Sequence, residues 1–323
     1  MKAQRISVTG SIGRTLSSVI LRADGKKLLA KGRVISEEDV RSLENEGLNE
    51  VSVAQLGEGE LGELDAVSQL ADKIGQGALE ARLAAGGRAK LFTTEPCCVL
   101  VNEEVLNQIN SRPSMVVATT RNFTWAAQGI QVAVVKSAPF VVPRTDFKAL
   151  LSIVQERGPI LEARPIRSPT VAVLYTDPVD GERARQLFEN STRKRLSRFG
   201  ASASASLSSV EEESAVAHSL QHALATKPTA VLIASTTAPA GPGDVIGRAL
   251  VRAGCEIECF LAPLEPGCLL LLGYVGHVPI VCAPGSFRPA GPNGVDRLLP
   301  PMLAGYRVSK WEVAGLGHGG LLV

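Results

Sequence analysis

The stretch Thr229 to Asp296 limits what this chain can fold into more than any other. It reads as strand, glycine-rich loop, helix, strand, hairpin, glycine-rich loop, helix. The apolar run Thr229-Ala-Val-Leu-Ile-Ala234 has the length of a buried strand. The loop Ser235-Thr-Thr-Ala-Pro-Ala-Gly-Pro-Gly-Asp244 follows it, and a second loop, Pro284-Gly-Ser-Phe-Arg-Pro-Ala-Gly-Pro-Asn-Gly294, follows the strand ending at Cys282. Both loops fall where a strand hands over to a helix, the place where open α/β sheets bind ligands. Glycine lets the backbone approach a ligand, and a helix start offers N–H groups to an anion. A phosphorylated small molecule is the first expectation.

Upstream, Val171-Ala-Val-Leu-Tyr175 is the opening strand of the same domain. A helix from Glu182 to Phe199 follows, then an edge strand over 201–207. Ser208 with Glu211, and Ser209 with Glu212, fit a capping box for a helix reaching Ala225. Strands alternating with helices predict an α/β fold with a mostly parallel sheet and helices on both faces, spanning 166–323 with a C-terminal tail. Two smaller α+β regions precede it. The first covers 1–56, where Ser36 is a good N-cap and Glu37, Glu38 and Asp39 suit a first helical turn. The second covers 57–165, where Gly57-Glu-Gly-Glu-Leu-Gly62 precedes an amphipathic helix through Val67, Leu70, Ala71 and Ile74, and further helices are expected over 103–109 and 144–157.

Composition excludes several classes. The net charge of the 323-residue chain is +2 and aromatics make up 4%, which gives no pull toward nucleic acid and little for base stacking. No apolar run reaches membrane-spanning length and the start lacks a signal-peptide pattern, so a soluble cytoplasmic protein is expected. Six cysteines in or beside apolar segments read as buried free thiols, with Cys255 and Cys259 sharing a strand face.

Three loops are expected to open on one sheet edge: Thr176–Gly181, Ser235–Asp244 and Pro284–Asn293. In the second, Ser235, Thr236, Thr237, Gly241 and Gly243 are candidate ligand contacts. In the third, Pro284, Gly285 and Ser286 supply amides and a hydroxyl, Arg288 a fork for phosphate, and Asn293 and Asp296 polar groups for a heterocycle edge. Asp244 is either an N-cap or a ligand contact. Asp177 and Asp180 flank Pro178, so they either hold a hydrated metal or make an Asp–Pro turn. His218 and His222 have metal spacing on a helix, yet lack a convincing third ligand. Arg193-Lys-Arg195 with Arg198 reads as a solvated basic face. The chain contains no Walker-type loop, no Gly-x-Ser-x-Gly elbow and no GxGxxG after the first strand.

These motifs resemble the molybdopterin-binding fold family of molybdenum cofactor biosynthesis. Val171-Ala-Val-Leu-Tyr-Thr176 is similar to its opening strand, and Ser235-Thr-Thr237 with Asp244 to its Gly-Gly-Thr-Ser segment and following Asp. Leu264-Glu-Pro-Gly267 with Leu269-Leu-Leu-Leu-Gly273 is similar to its Lys-Pro-Gly segment, and Pro284-Gly285-Ser286 to its Pro-Gly loop. A closer likeness, carried by Gly87-Arg-Ala-Lys-Leu-Phe92, Asn293-Gly-Val-Asp296 and Gly317-His-Gly-Gly-Leu-Leu322, is to the amino-terminal half of two-part bacterial proteins that join such a region to a nucleotidyltransferase-like one. The resemblance implies a three-layer domain that binds molybdopterin or a cofactor intermediate.

It also implies a choice of roles. In a molybdenumtransferase, Asp244, Asp177 and Asp180 would be catalytic and would place Mg2+ while molybdate is inserted. A non-catalytic carrier would serve a nucleotidyltransferase or molybdoenzyme partner, and a nucleotide-pyrophosphate hydrolase is a third role. The chain departs from the molybdenumtransferases at Thr176-Asp-Pro-Val-Asp180, at Ser235 and Thr236 where they have glycines, and at Glu265 where they have Lys. A homo-oligomer is expected from the resembling families.

Overall fold

The computed structural model describes residues 2–84, 86–137, 141–239, 241–283, 285–288 and 291–322. The chain forms two compact units. The first comprises Met1–Glu95, Val99–Asn122 and Ala126–Ala163, and the second Pro96–Cys98, Phe123–Trp125 and Arg164–Val323.

The first unit opens on an antiparallel pair, Lys2–Ser7 with Glu50–Gln55, and helix α1 (Glu37–Asn45). Ser36 starts α1 because its hydroxyl accepts from Asp39 N while the Asp39 carboxylate returns a bond to Ser36 N, so two otherwise unpaired donors are met at once. Val40 and Leu43, one turn apart, bury with Val8, Leu16, Leu29, Ile35, Val51 and Val53 in a cluster of their own.

Helix α2 (Glu63–Ile74) buries Ala66, Val67, Leu70, Ala71 and Ile74, the stripe its 3.6-residue period dictates. Beside it lies a four-stranded antiparallel sheet in the order Met115–Thr119, Gln131–Ser137, Arg88–Thr93, Leu79–Ala84. Helices α3 (Glu103–Asn110) and α4 (Arg144–Arg157) complete the unit; the α4 bounds are those the sequence pattern predicts.

The second unit contains strands β1 (Thr170–Asp177), β2 (Ser202–Val210), β3 (Ala230–Ser235), β4 (Glu256–Phe260), β5 (Leu271–Val275) and β6 (Val278–Ala283). Its helices are α5 (Gly181–Arg198), α6 (Glu213–Ala225), α7 (Val245–Arg252), α8 (Gly294–Leu303) and α9 (Lys310–Gly315).

The sheet order is β2-β1-β3-β6-β5-β4. The first four strands are parallel, and β5 and β4 continue antiparallel. A mostly parallel α/β sheet is therefore present, as the alternating pattern predicts. Alternate residues Ala172, Leu174, Val231, Ile233, Ile280 and Cys282 face α6 and α7 in one core, while Val173 and Tyr175 point the other way, toward Thr192 and Leu196 of α5. The chain passes from β1 to β2 on one side, then returns to β3 on the other side of β1. That reversal makes a topological switch point between the C-terminal ends of β1 and β3.

Three expectations fail here. Residues 208 and 209 do not begin a helix, because β2 stays paired with β1 as far as Asp177↔Val210; α6 starts at Glu213 and Glu211 is released for another role. Cys255 and Cys259 do not share a face, because Cys255 precedes β4 and the β4–β5 register shifts between Ile257 and Cys259. Cys268 is exposed rather than buried; all six cysteines are free thiols. Among the described residues no helix is long and apolar enough to cross a membrane.

Candidate functional site

The switch point gathers the ends of β1, β2 and β3 around two carboxylates. Asp177 closes β1 and is 1% exposed. Its Oδ1 accepts from the backbone N–H of Val179 (2.9 Å) and Asp180 (3.2 Å), and its Oδ2 from Thr236 Oγ1 at 2.7 Å. Arg183 lies 3.8 Å away. The Thr236 hydroxyl chiefly, with these amides and Arg183, holds the Asp177 carboxyl below the usual range against the opposing effect of its burial.

Glu211, directly after β2, is the second centre. Its backbone N–H donates to Asp177 O at 2.9 Å. Its Oε2 accepts from Ser235 Oγ (2.8 Å) and Thr176 Oγ1 (3.3 Å), and its Oε1 from Thr237 Oγ1 (2.5 Å). Thr236 N donates to Thr176 O at 3.1 Å, and Thr237 N to Ser235 Oγ at 3.1 Å. Four hydroxyls from the C-terminal ends of β1 and β3 thus turn toward two carboxylates, so carboxylate lone pairs dominate the charge at this edge. Sequence reasoning misses Glu211 as a site residue because a capping box explains it. The signal is the hydroxyl-rich Ser235-Thr-Thr237, which needs an acceptor when buried.

The remaining candidates divide by role. Asp180 and Asp244 are N-caps: Asp180 accepts from Glu182 N (3.0 Å) at α5, and Asp244 from Gly247 N (2.7 Å) at α7. Gly241 N reaches the other Asp244 oxygen at 3.4 Å, which folds the Gly241–Asp244 loop over the helix start. A Cβ at Gly241 or Gly243 would meet no side chain and no atom nearer than 4.0 Å, so the loop is open there. Gly285 comes beside the first loop: a Cβ on it would sit 3.9 Å from Thr236 O. Ser286 lies in a 3-10 turn and Arg288 is exposed. Pro284 lies outside the described residues.

Asn293 and Asp296 form a capping box at α8, with Asn293 N donating to Asp296 Oδ2 at 2.9 Å. Asn293 Nδ2 also donates to Ser286 O at 3.1 Å, so this box fixes the second loop. Gly267, at φ 119°, packs on it; a Cβ there would fall 2.6 Å from Gly294 N.

Arg195 corrects the reading of a solvated basic face. Arg193, Lys194 and Arg198 are exposed, but Arg195 is 3% exposed and bonds Asp296 (3.0 Å), Phe287 O (3.1 Å) and Gly291 O (2.8 Å). Its guanidinium also lies 4.3 Å from the Phe287 ring centre. Burial pushes the Asp296 carboxyl up and the Arg195 guanidinium down from their ordinary values, while each holds the other charged.

His218 and His222 are exposed on α6 with ring centres 4.2 Å apart. Among the described residues no group of three or more His, Cys, Asp or Glu could hold a metal ion. Asp177 and Asp180 share the turn before α5 and Asp244 caps α7, each carboxylate accepting backbone amides, so this donor set does not fit a protein-held cation.

No family model and no curated protein matches the chain. Several solved structures are loosely similar, two of which illustrate the likeness. One is a molybdopterin biosynthesis MoeA protein from Pyrococcus horikosii, with a TM-score of 0.32 and 10% identity over 98% of this chain and 76% of that one. The other is a molybdenum cofactor biosynthesis protein from Pyrococcus furiosus, with a TM-score of 0.21 and 12% identity over 98% of this chain, which spans 64% of that one.

Proposed function

We propose that the second unit binds molybdopterin, or an intermediate of the molybdenum cofactor, at the switch point between β1 and β3. The observation that carries the reading is the convergence there of Asp177 and Glu211 with the hydroxyls of Thr176, Ser235, Thr236 and Thr237. A pterin presents adjacent N–H donors on one edge, which suit carboxylate acceptors. The glycine loop 241–243 and the Gly285–Arg288 turn, beside them, suit the phosphate tail, with Arg288 its counter-charge. Asn293 and Asp296 act by holding the second loop in place. The order of the sequence motifs along the chain supports the same ligand, and a three-layer domain over 166–323 suits it.

A carrier role is favoured over molybdenum insertion by one observation. Asp177, Asp180 and Asp244 serve as caps for backbone amides, and among the described residues no group of three or more His, Cys, Asp or Glu could hold a metal ion. In this reading the protein works in the cytoplasm, self-associates, and passes the cofactor to a nucleotidyltransferase or a molybdoenzyme.

Calorimetric titration with molybdopterin and its adenylated form, with and without molybdate, tests the proposal. Binding without turnover supports the carrier. Release of AMP on adding molybdate supports insertion instead, and no binding of either form overturns both.

A further inference from the structure

In the four-stranded sheet of the first unit, the strand Arg88–Thr93 alternates two sets of side chains. Ala89 and Leu91 are buried on the face that α2 covers. Arg88, Lys90 and Phe92 point to the opposite face, Arg88 exposed and the other two half-buried. Strand register extends that outward face across the neighbours. Lys136 stands directly opposite Arg88, and Val134 opposite Lys90. On the other side Arg82 stands opposite Lys90, and Glu80 opposite Phe92. Lys136, Arg88, Lys90 and Arg82 therefore form one cationic block, about 5 Å apart between strands and about 7 Å apart along a strand.

Like charges directly opposite one another destabilise a sheet, and here two such pairs lie side by side. Arg82 pairs with Glu80, the one acid among these outward side chains. Arg88, Lys90 and Lys136 make no ion pair with any described residue; Lys136 acts only at a distance, on the Glu63 carboxyl at the start of α2. An anionic partner would remove the repulsion. Two observations narrow its chemistry. Val116, 46% exposed, stands opposite Lys136, and Ala118 opposite Val134, so an aliphatic flank that a phosphate backbone would leave bare adjoins the cations. The Arg82 guanidinium lies over the Phe92 ring, 4.6 Å from its centre, on the face a nucleic-acid base would stack against. The face is an open sheet surface, whereas small-molecule sites are concave.

We propose that this face, whatever the second unit binds, docks an acidic amphipathic segment of another protein. Carboxylates along one side of the segment meet the cationic block, and its apolar side covers Val116, Ala118 and Val134. Opposite potentials set the orientation and speed the encounter, and the apolar flank supplies the area removed from water.

The probe is a fluorescein-labelled helical peptide of about four turns, with leucines along one side and glutamates beside them, titrated with the full chain by fluorescence anisotropy. The wild type should bind it saturably, with a Kd of about 10–100 μM at low salt that weakens as salt rises. The same peptide with lysine in place of glutamate should not bind. Arg88→Gln combined with Lys90→Gln should weaken binding at least tenfold, yet unfold at the same or a higher urea concentration, because it removes repulsion and no ion pair. Val116→Asp, on the aliphatic flank, should weaken binding as well. The proposal is overturned if the wild type ignores the glutamate peptide, binds the lysine peptide equally, or keeps its affinity in the Arg88→Gln, Lys90→Gln variant. A lower urea midpoint in that variant overturns it too, since the cations would then serve the fold. Tighter binding of a thymidine oligonucleotide at the same salt would assign the face to nucleic acid instead. An oligomeric wild type that the double variant converts to monomer would assign it to a second copy of the chain.

Discussion

Ser235 Oγ donates to Glu211 Oε2 at 2.8 Å, joining the end of β3 to the residue after β2 across the end of β1, which lies between them. Thr176 at the end of β1 donates to the same oxygen. One carboxylate therefore ties the ends of three adjacent parallel strands at the reversal of the sheet.

Glu211→Ala should destabilise the protein by about 1–2 kcal/mol, because three hydroxyls lose a charged acceptor in a half-buried place. Glu211→Gln, which keeps one carbonyl acceptor, should cost less. Urea unfolding of the two variants measures this. Equal stability of Glu211→Ala and wild type would show that the hydroxyls find other partners at no cost.

The Asp177 carboxyl is held below its ordinary range, so the sign of its pH dependence is fixed. Its contribution is fully present above the unfolded value of about 4 and is lost as pH falls through the lower folded value. Asp177→Asn should flatten the acid limb of the stability profile below about pH 4. An unchanged limb would place the acid sensitivity in other carboxyls.

Arg195 and Asp296 make a buried pair, and removing one partner strands the other. Arg195→Met should cost about 3–5 kcal/mol. Asp296→Asn added to it should recover part of that loss, since the amide oxygen can still accept at the Asn293 cap. A double variant less stable than Arg195→Met alone would contradict this account.

Gly181 and Gly243 differ in what surrounds them. A Cβ on Gly181 would fall 2.3 Å from Ser209 N, against rigid strand backbone, so Gly181→Ala should destabilise by about 1–3 kcal/mol. A Cβ on Gly243 meets nothing within 4 Å, so Gly243→Ala should leave thermal unfolding unchanged.

Much of this fold is legible in local chemistry. Ser36, the α4 bounds and the β5–β6 hairpin follow from caps and periodicity that neighbours do not override. Arg195 is legible in principle: Phe188, Thr192, Leu196 and Phe199 mark the inward stripe of α5, and Arg195 falls on it. Charge alone argues for solvent, and the pairing that offsets burial comes from Asp296, 101 residues away. Glu211 is hidden differently. Its spacing from Ser208 fits a helix cap, but pairing of β2 with β1 keeps Ser208 extended, and tertiary pairing outweighs a local signal. The register shift that separates Cys255 from Cys259 likewise belongs to the β5 partner strand.

Calorimetric titration of molybdopterin into the wild type and Gly243→Ala tests the switch point as a pterin site. The wild type should bind saturably, and the variant, with unchanged unfolding, should bind with a Kd at least tenfold weaker, about 1.4 kcal/mol. Equal affinity in the two would move the ligand away from the 241–243 loop, and no binding by the wild type would contradict the switch point as a pterin site.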